Sequence, residues 1–143
     1  MKVSECMTRD VRVANPQETL QAAARTMADI DAGFLPVGEN DRLIGIVTDR
    51  DIAIRAVGCG YASDAKIGDV MSREVRYCYA DDDVSDILDM MAEQQIRRMP
   101  VVDGDKRLVG VVSIGDLVKD ETRQTGEALC EIARPSSMHS QVI

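Results

Sequence analysis

Two hydroxyl–carboxylate pairs stand out for the chemistry they offer. Thr48 and Asp51 close the run Gly45-Ile46-Val47-Thr48-Asp49-Arg50-Asp51. Ser113 and Asp116 close Gly110-Val111-Val112-Ser113-Ile114-Gly115-Asp116, 65 positions later. Each run leads from an apolar strand through a hydroxyl to an aspartate, at the entry to a segment of helical apolar spacing. A hydroxyl at such a turn can bond a phosphate oxygen, backed by the free N–H groups of a helix N-terminus. A carboxylate one helical step further can accept bonds from two vicinal hydroxyls, as in ribose. The alternative is purely structural, with Thr48 and Ser113 capping helices and Asp51 and Asp116 in the first turn. Duplication does not separate these readings, since a cap would be duplicated too.

Other chemistries find less support. His139 is the only histidine and lies in the C-terminal tail, so a histidine-based triad has no member. No G-x-S-x-G elbow, H-E-x-x-H helix or G-x-x-x-x-G-K-[ST] loop occurs. The Asp49/Asp51 pair is not reproduced in the second run, where position 114 is Ile. An enzyme is therefore not expected. The acidic run Asp81-Asp82-Asp83 reads as carboxylates at a helix N-terminus rather than a metal cluster. Cys6, Cys59, Cys78 and Cys130 form no C-x-x-C pair and are expected as buried or partly buried thiols of a reducing cytosol.

Net charge is −8, which argues against a general nucleic-acid or anionic-membrane surface but leaves room for a local arginine cluster that binds phosphate. Only 3% of residues are aromatic, too few for a base-stacking platform, so the core must be aliphatic with eight Met as filler. Residues 1–13 lack the apolar core of a signal peptide, and no apolar run approaches the ~20 residues that span a bilayer. A cytoplasmic protein is expected.

The elements that position these pairs are themselves duplicated. Residues 3–13 and 67–77 match at a shift of 64, with Met7/Met71, Arg9/Arg73, Val11/Val75 and Arg12/Arg76 identical. Thr19 and Asp83 are the expected helix caps, Asp83 with Asp86 in the manner of a capping box. Leu20, Ala23, Ala24, Met27 and Val84, Ile87, Leu88, Met91 then follow the i, i+3, i+4, i+7 pattern. Short strands carrying Pro36 and Pro100 come next; proline cannot donate to a ladder, so these strands are expected at a sheet edge or to begin at the proline. Turn residues 38–41 and 103–106 make hairpins to nearly continuous apolar strands at 43–47 and 108–112. A second helix is expected to close each half, over residues 51–57 and 116–122. The half-repeat is thus strand, helix, strand, strand, helix, an α/β (α+β) arrangement too small to be secure alone. Expected boundaries are 1–65 for the first repeat with its linker, 66–123 for the second, and 124–143 for a partly helical extension with a disordered tail from 135.

The G-h-h-[ST]-x-x-D stretch, the h-P-V strand and the T-L-x-x-A-A-x-x-M helix together resemble the CBS domain. Two in tandem resemble a Bateman module, as in stand-alone bacterial-type CBS-domain proteins, over about residues 3–122. The resemblance implies two β-α-β-β-α repeats packed as a pseudo-twofold pair, small sheets with helices on one face, and clefts that bind AMP, ADP, ATP, S-adenosylmethionine or nicotinamide dinucleotides. It also implies a homodimer and no obligatory cofactor. Carried onto this chain, Asp51 and Asp116 would hold ribose hydroxyls. Thr48 and Ser113, with Arg50 and Gly115 close behind, would touch phosphate or ribose. Thr19 precedes the first helix where the family often contributes a contact, and Leu35-Pro36 and Met99-Pro100 line the cleft.

The halves differ in their arginines. Arg97 and Arg98 precede Pro100 where Gly33 and Phe34 stand in the first half, whereas Arg50, with Arg55 a turn on, answers Gly115. Guanidinium groups suit phosphate, and these converge on one phosphate chain or serve two sites. Asp83 in place of the Thr19 hydroxyl would repel phosphate, so the two sites need not be equal. The expected function is regulatory: binding an adenine nucleotide and acting in trans on a protein target. The alternatives are a structural or interaction dimer with empty clefts, and NAD or S-adenosylmethionine as ligand.

Overall fold

The computed structural model describes residues 1–118 and 122–134. Helix α1 spans Leu20–Ile30 and buries Leu20, Ala23 and Met27 of the expected stripe, while Ala24, expected with them, is exposed. Thr19 caps it as expected, its hydroxyl accepting the Ala22 N–H at 3.1 Å. It ends at Asp31, whose N–H bonds the Ala28 and Met27 carbonyls and whose left-handed φ of 53° turns the chain so that Ala32 N–H returns to the Met27 carbonyl at 3.0 Å. Strands β1 (Phe34–Glu39) and β2 (Arg42–Thr48) form an antiparallel hairpin, turned by Asn40 and Asp41 at φ 52° and 64°.

The second half repeats this plan with differences. β3 (Cys78–Tyr79) lies parallel to β4 (Arg98–Val102), which pairs antiparallel with β5 (Leu108–Ser113). In the first half the strand equivalent to β3 shrinks to one bridge, Ala14 to Val37. Helix α2 (Val84–Gln94) buries Val84, Ile87, Leu88 and Met91. The expected capping box at Asp83 does not form: its side chain makes no cap bond and lies 3.7 Å from the N-terminal ammonium of Met1. A free carboxylate near that cation satisfies the same dipole without the bond geometry.

Both prolines sit inside strands, and Pro100 lies in the central strand of three, contrary to the edge expectation. The ladder tolerates it because β3 begins pairing only at Val101, one residue beyond the missing N–H. Pro36 likewise precedes the Val37 bridge and supplies only its carbonyl, to Ala14 N–H at 2.9 Å.

The closing helices also depart from expectation. After β2 the chain enters a π-helix, Asp51–Ala56, in place of an α-helix. After β5 the helix α3 is short, Ile114–Leu117, starting and ending earlier than 116–122. α4 (Thr122–Ala133) is the helix expected in the extension; the tail from 135 lies outside the described residues. α4 lies along α2, where Gln124 Nε2 donates to the Ser85 carbonyl and Asp89 Oδ1 at 2.7 and 2.9 Å. Gln95 Nε2 closes the other end on the carbonyls of Glu131 and Arg134.

The two cores are built by exchange. Val3, with Cys6 and Met7 beside it, packs with α2, Met99, Val101 and Val112 of the second half. Ile67, Val70 and Met71 pack with α1, Leu35, Val37 and Val47 of the first. The backbone follows suit: Thr8 and Val111 exchange both bonds at 2.8 and 2.9 Å, as do Ser72 and Ile46. Gly110 and Gly45 make room for this. A Cβ on Gly110 would stand 2.8 Å from both Met7 Sδ and Thr8 O, and one on Gly45 would stand 2.8 Å from Met71 Sδ. Each repeat thus lends its opening segment to the other's sheet, which fixes the halves relative to one another.

Of the cysteines, Cys78 is buried and Cys6 partly so, but Cys59 and Cys130 are exposed, against expectation. Both exposed thiols lie outside the repeat's sheets, where burial is not enforced.

Candidate functional site

The strand-to-helix turns carry closed reciprocal caps in both halves. Asp51 N–H donates to Thr48 Oγ1 at 3.1 Å while Thr48 N–H donates to Asp51 Oδ2 at 3.0 Å. Asp116 N–H donates to Ser113 Oγ at 3.3 Å, and Ser113 N–H to Asp116 Oδ2 at 2.9 Å. The structural reading of these residues is therefore realised. It does not exhaust them. In each pair the hydroxyl acts as acceptor, so its own hydrogen is left to donate outward. In each carboxylate the cap uses only Oδ2; on Asp51 the other oxygen is 3.9 Å from Arg55 Nη1.

The ladder decides what stands beside each hydroxyl. Arg98 is the register partner of Ser113, and Phe34 is that of Thr48. Opposed Cβ atoms in such a ladder are about 4.5–5.5 Å apart, so Arg98 and Ser113 share one place. Arg97 is joined to the same turn through its carbonyl, which accepts the Ile114 N–H at 2.9 Å. In the first half Gly33 takes that role towards Asp49: its carbonyl accepts the Asp49 N–H, and an added Cβ would collide with the Asp49 carboxylate at 2.5 Å. Arg50, Arg97 and Arg98 are all exposed. Among the described residues their guanidinium groups have no ion-pair partner. A shallow cavity of about 280 Å³ opens beside Asp49, lined by Met27, Ala28, Asp31, Ala32 and Gly33.

Other expected site residues are placed differently. Leu35 and Met99 are 1% and 0% exposed and belong to the two cores, so their side chains do not line a cleft. Pro36 and Pro100 are buried with them. Alternation explains this: Phe34 and Arg98 face away from the core that Leu35 and Met99 enter. Thr19 is bridged to Lys66, and its oxygen is engaged in capping α1. At Gly115 an added Cβ would meet only Ser113 Oγ, at 3.6 Å, so this glycine leaves open space rather than relieving a clash.

The exchange adds residues that the motif did not single out. Thr8 and Ser72, carried across by the opening segments, lie on the strands that end in Ser113 and Thr48. Their signal was the 64-residue match Thr8/Ser72, which marks the duplication but gives no hint of crossing to the other half.

The family model for the CBS domain matches twice, over residues 3–58 and 67–121. The chain belongs to the CBS-domain family, as a tandem pair of α/β repeats. It is 37% identical to CBS domain-containing protein YhcV of Bacillus subtilis over 92% of this chain and 94% of that one. Among solved structures it is similar to Hypoxic Response Protein I, described with two coordinated zinc ions, at 35% identity and a TM-score of 0.76, over 84% of this chain and 98% of that one. It is also similar to the CBS domain pair of MJ0100, described in complex with 5-methylthioadenosine and S-adenosyl-L-methionine. Identity there is 26% and the TM-score 0.72, over 83% and 94% of the two chains. Among the described residues, no group of three His, Cys, Asp or Glu is placed to hold a metal ion. No described helix is long and apolar enough to cross a membrane.

Proposed function

We propose that this chain is a regulatory module that binds an adenosine-containing ligand, AMP-, ADP- or ATP-like, at the strand-to-helix turns of its two repeats. The observation that carries this reading is the division of labour within each cap. Thr48 and Ser113 accept the capping bond and keep a hydrogen for a phosphate or ribose oxygen, while Asp51 and Asp116 keep one carboxylate oxygen for ribose hydroxyls. A cap that holds these groups still lowers the ordering cost of binding. Arg97 and Arg98 supply phosphate recognition in the second half, and Arg50 in the first. The adenosyl ligands described for the MJ0100 pair support this class of ligand.

The output is a population shift. A ligand touching both repeats favours one relative arrangement, read in trans by a protein target or by the chain's own dimer. The π-helix presents Ile54 at 50% exposure and the turn after it Val57 at 68%, with Tyr61 beyond, an apolar face suited to a second copy. No turnover is involved: ligand is recovered unchanged.

Calorimetry with AMP, ATP, S-adenosylmethionine and NAD tests the reading. AMP or ATP is expected to bind and raise the melting temperature, and Asp51→Ala with Asp116→Ala to abolish that rise. Binding of none of the four below millimolar concentration rejects it, and so does an equal rise in wild type and double variant.

A further inference from the structure

A cavity roomier than the one beside Asp49 lies away from the strand-to-helix turns. It lies at the opposite end of the hairpins, where the two repeats meet across Arg42 and Arg107. These residues are equivalent in the duplication and bridge one another antiparallel. The cavity measures about 540 Å³, within the range of small-molecule sites. Val13, Leu43, Leu108 and Val109 give it an apolar wall.

We propose that this hairpin-end cleft is a second binding site, for a small organic oxyanion: a carboxylate or phosphate carried on an apolar body. Three independent observations converge on it. First, two guanidinium-bearing residues face each other on the pseudo-twofold axis, a like-charge arrangement that costs energy unless an anion lies between them. Among the described residues neither guanidinium has an ion-pair or hydrogen-bond partner. Of the carboxylates that line the cleft, Asp103 is engaged within its own turn, where one oxygen accepts the N–H of Asp105 and of Arg107, and Glu39 is the register partner of Arg42 without an ion pair to it.

Second, the equivalent residues of the two halves differ in size at the cleft. Val13 and Asn15 line it, and their equivalents 64 residues on are Tyr77 and Tyr79. Those two rings stack edge-to-face at 5.8 Å, with Lys106 Nζ 5.5 Å from the Tyr77 ring centre. The second half therefore fills with its own side chains, and a cation over a ring, the place that the first half leaves vacant. Third, Val13, Leu43, Leu108 and Val109 make part of the lining apolar, which suits a ligand with a hydrocarbon body rather than a bare ion. Glu39 and Asp41 also line the cleft and are exposed. They oppose highly charged anions and favour one oxyanion group per ligand.

The test uses the full chain and two probes, phenyl phosphate and benzoate, with inorganic phosphate as control, followed by amide chemical shifts. Shifts at Val13, Asn15 and Leu108, stronger for the aryl probes than for inorganic phosphate, are expected. Which aryl probe binds tighter assigns the natural head group. Arg42→Gln with Arg107→Gln is expected to weaken the tighter probe at least tenfold. Val13→Tyr with Asn15→Tyr copies the second half at exposed positions and is expected to abolish binding while the far-UV spectrum is kept. Absence of shifts at ten-millimolar probe overturns the proposal. Shifts confined to Thr48, Asp51, Ser113 and Asp116, or a response unchanged in either variant, overturn it as well. Failure of AMP to bind would leave this result unaffected, because the two sites share no residue.

Discussion

Helix α1 shows Ala24 to solvent, whereas its equivalent on α2, Leu88, is fully buried. The reason is α4, which lies along α2; among the described residues no helix packs in that way on α1. The same duplication therefore produced one half closed by a third helix and one half left open. The turns diverge in parallel: α3 follows Ser113 with regular geometry, while a π-helix follows Thr48 and turns an apolar face outward. The two repeats are therefore packed unequally: one is sealed by α4, and the other carries the exposed, wider-turned segment.

The largest test copies the open half onto the closed one. Leu88→Ala installs the residue of α1 beneath α4 and is expected to cost about 2–5 kcal/mol in urea unfolding. A cost below 1 kcal/mol would mean that α4 does not seal the second core. Next come the glycines at the exchange. Gly110→Val and Gly45→Val each push against a Met Sδ and a neighbouring carbonyl, and each is expected to cost about 1–3 kcal/mol. Equal losses support a symmetric exchange; a loss at only one position would break that symmetry.

Smaller effects separate the caps. Thr19→Ala removes an observed capping bond and is expected to cost about 1 kcal/mol. Asp83→Ala removes none and should stay within about 0.5 kcal/mol. Similar losses would place a cap at Asp83 after all. Least visible at neutral pH is the thiol contrast. Burial, reinforced by the charge of Asp82 and by Cys6, pushes Cys78 from 9.0 up to about 12. The folded state holds this proton after the unfolded chain has lost it. Its contribution is complete below pH 9 and lost as pH rises from there towards 12. Cys78→Ala should therefore flatten the alkaline fall in stability. A thiol reagent should modify Cys59 in the native protein and Cys78 only after unfolding; rapid native modification of Cys78 would contradict its burial.

Much of this molecule was legible before any coordinates. Local spacing alone determines α1, α2 and both hairpins, because a helix stripe and a turn are set by residues within a few positions of each other. The hydroxyl–carboxylate turns were legible for the same reason: Thr48 with Asp51 and Ser113 with Asp116 are three residues apart, one cap each. Their partners across the ladder, Phe34 and Arg98, follow only from register. So does the burial of Leu35 and Met99, which motif proximity had assigned to a cleft. Asp83 makes no cap bond, and the group beside its carboxylate, the Met1 ammonium, is distant in sequence and so invisible to local spacing.

The exchange of Met7-Thr8 and Met71-Ser72 between sheets lay wholly outside local reading. A repeat shows that two segments are equivalent; it does not say which copy's core each one enters. That choice rests on long-range contacts, Met7 on Gly110 and Met71 on Gly45, whose favourable energy exists only once both halves are folded together. The hairpin-end cleft belongs to the same class. Val13 against Tyr77 is visible in the sequence, but the meeting of Arg42 and Arg107 is made by tertiary structure alone.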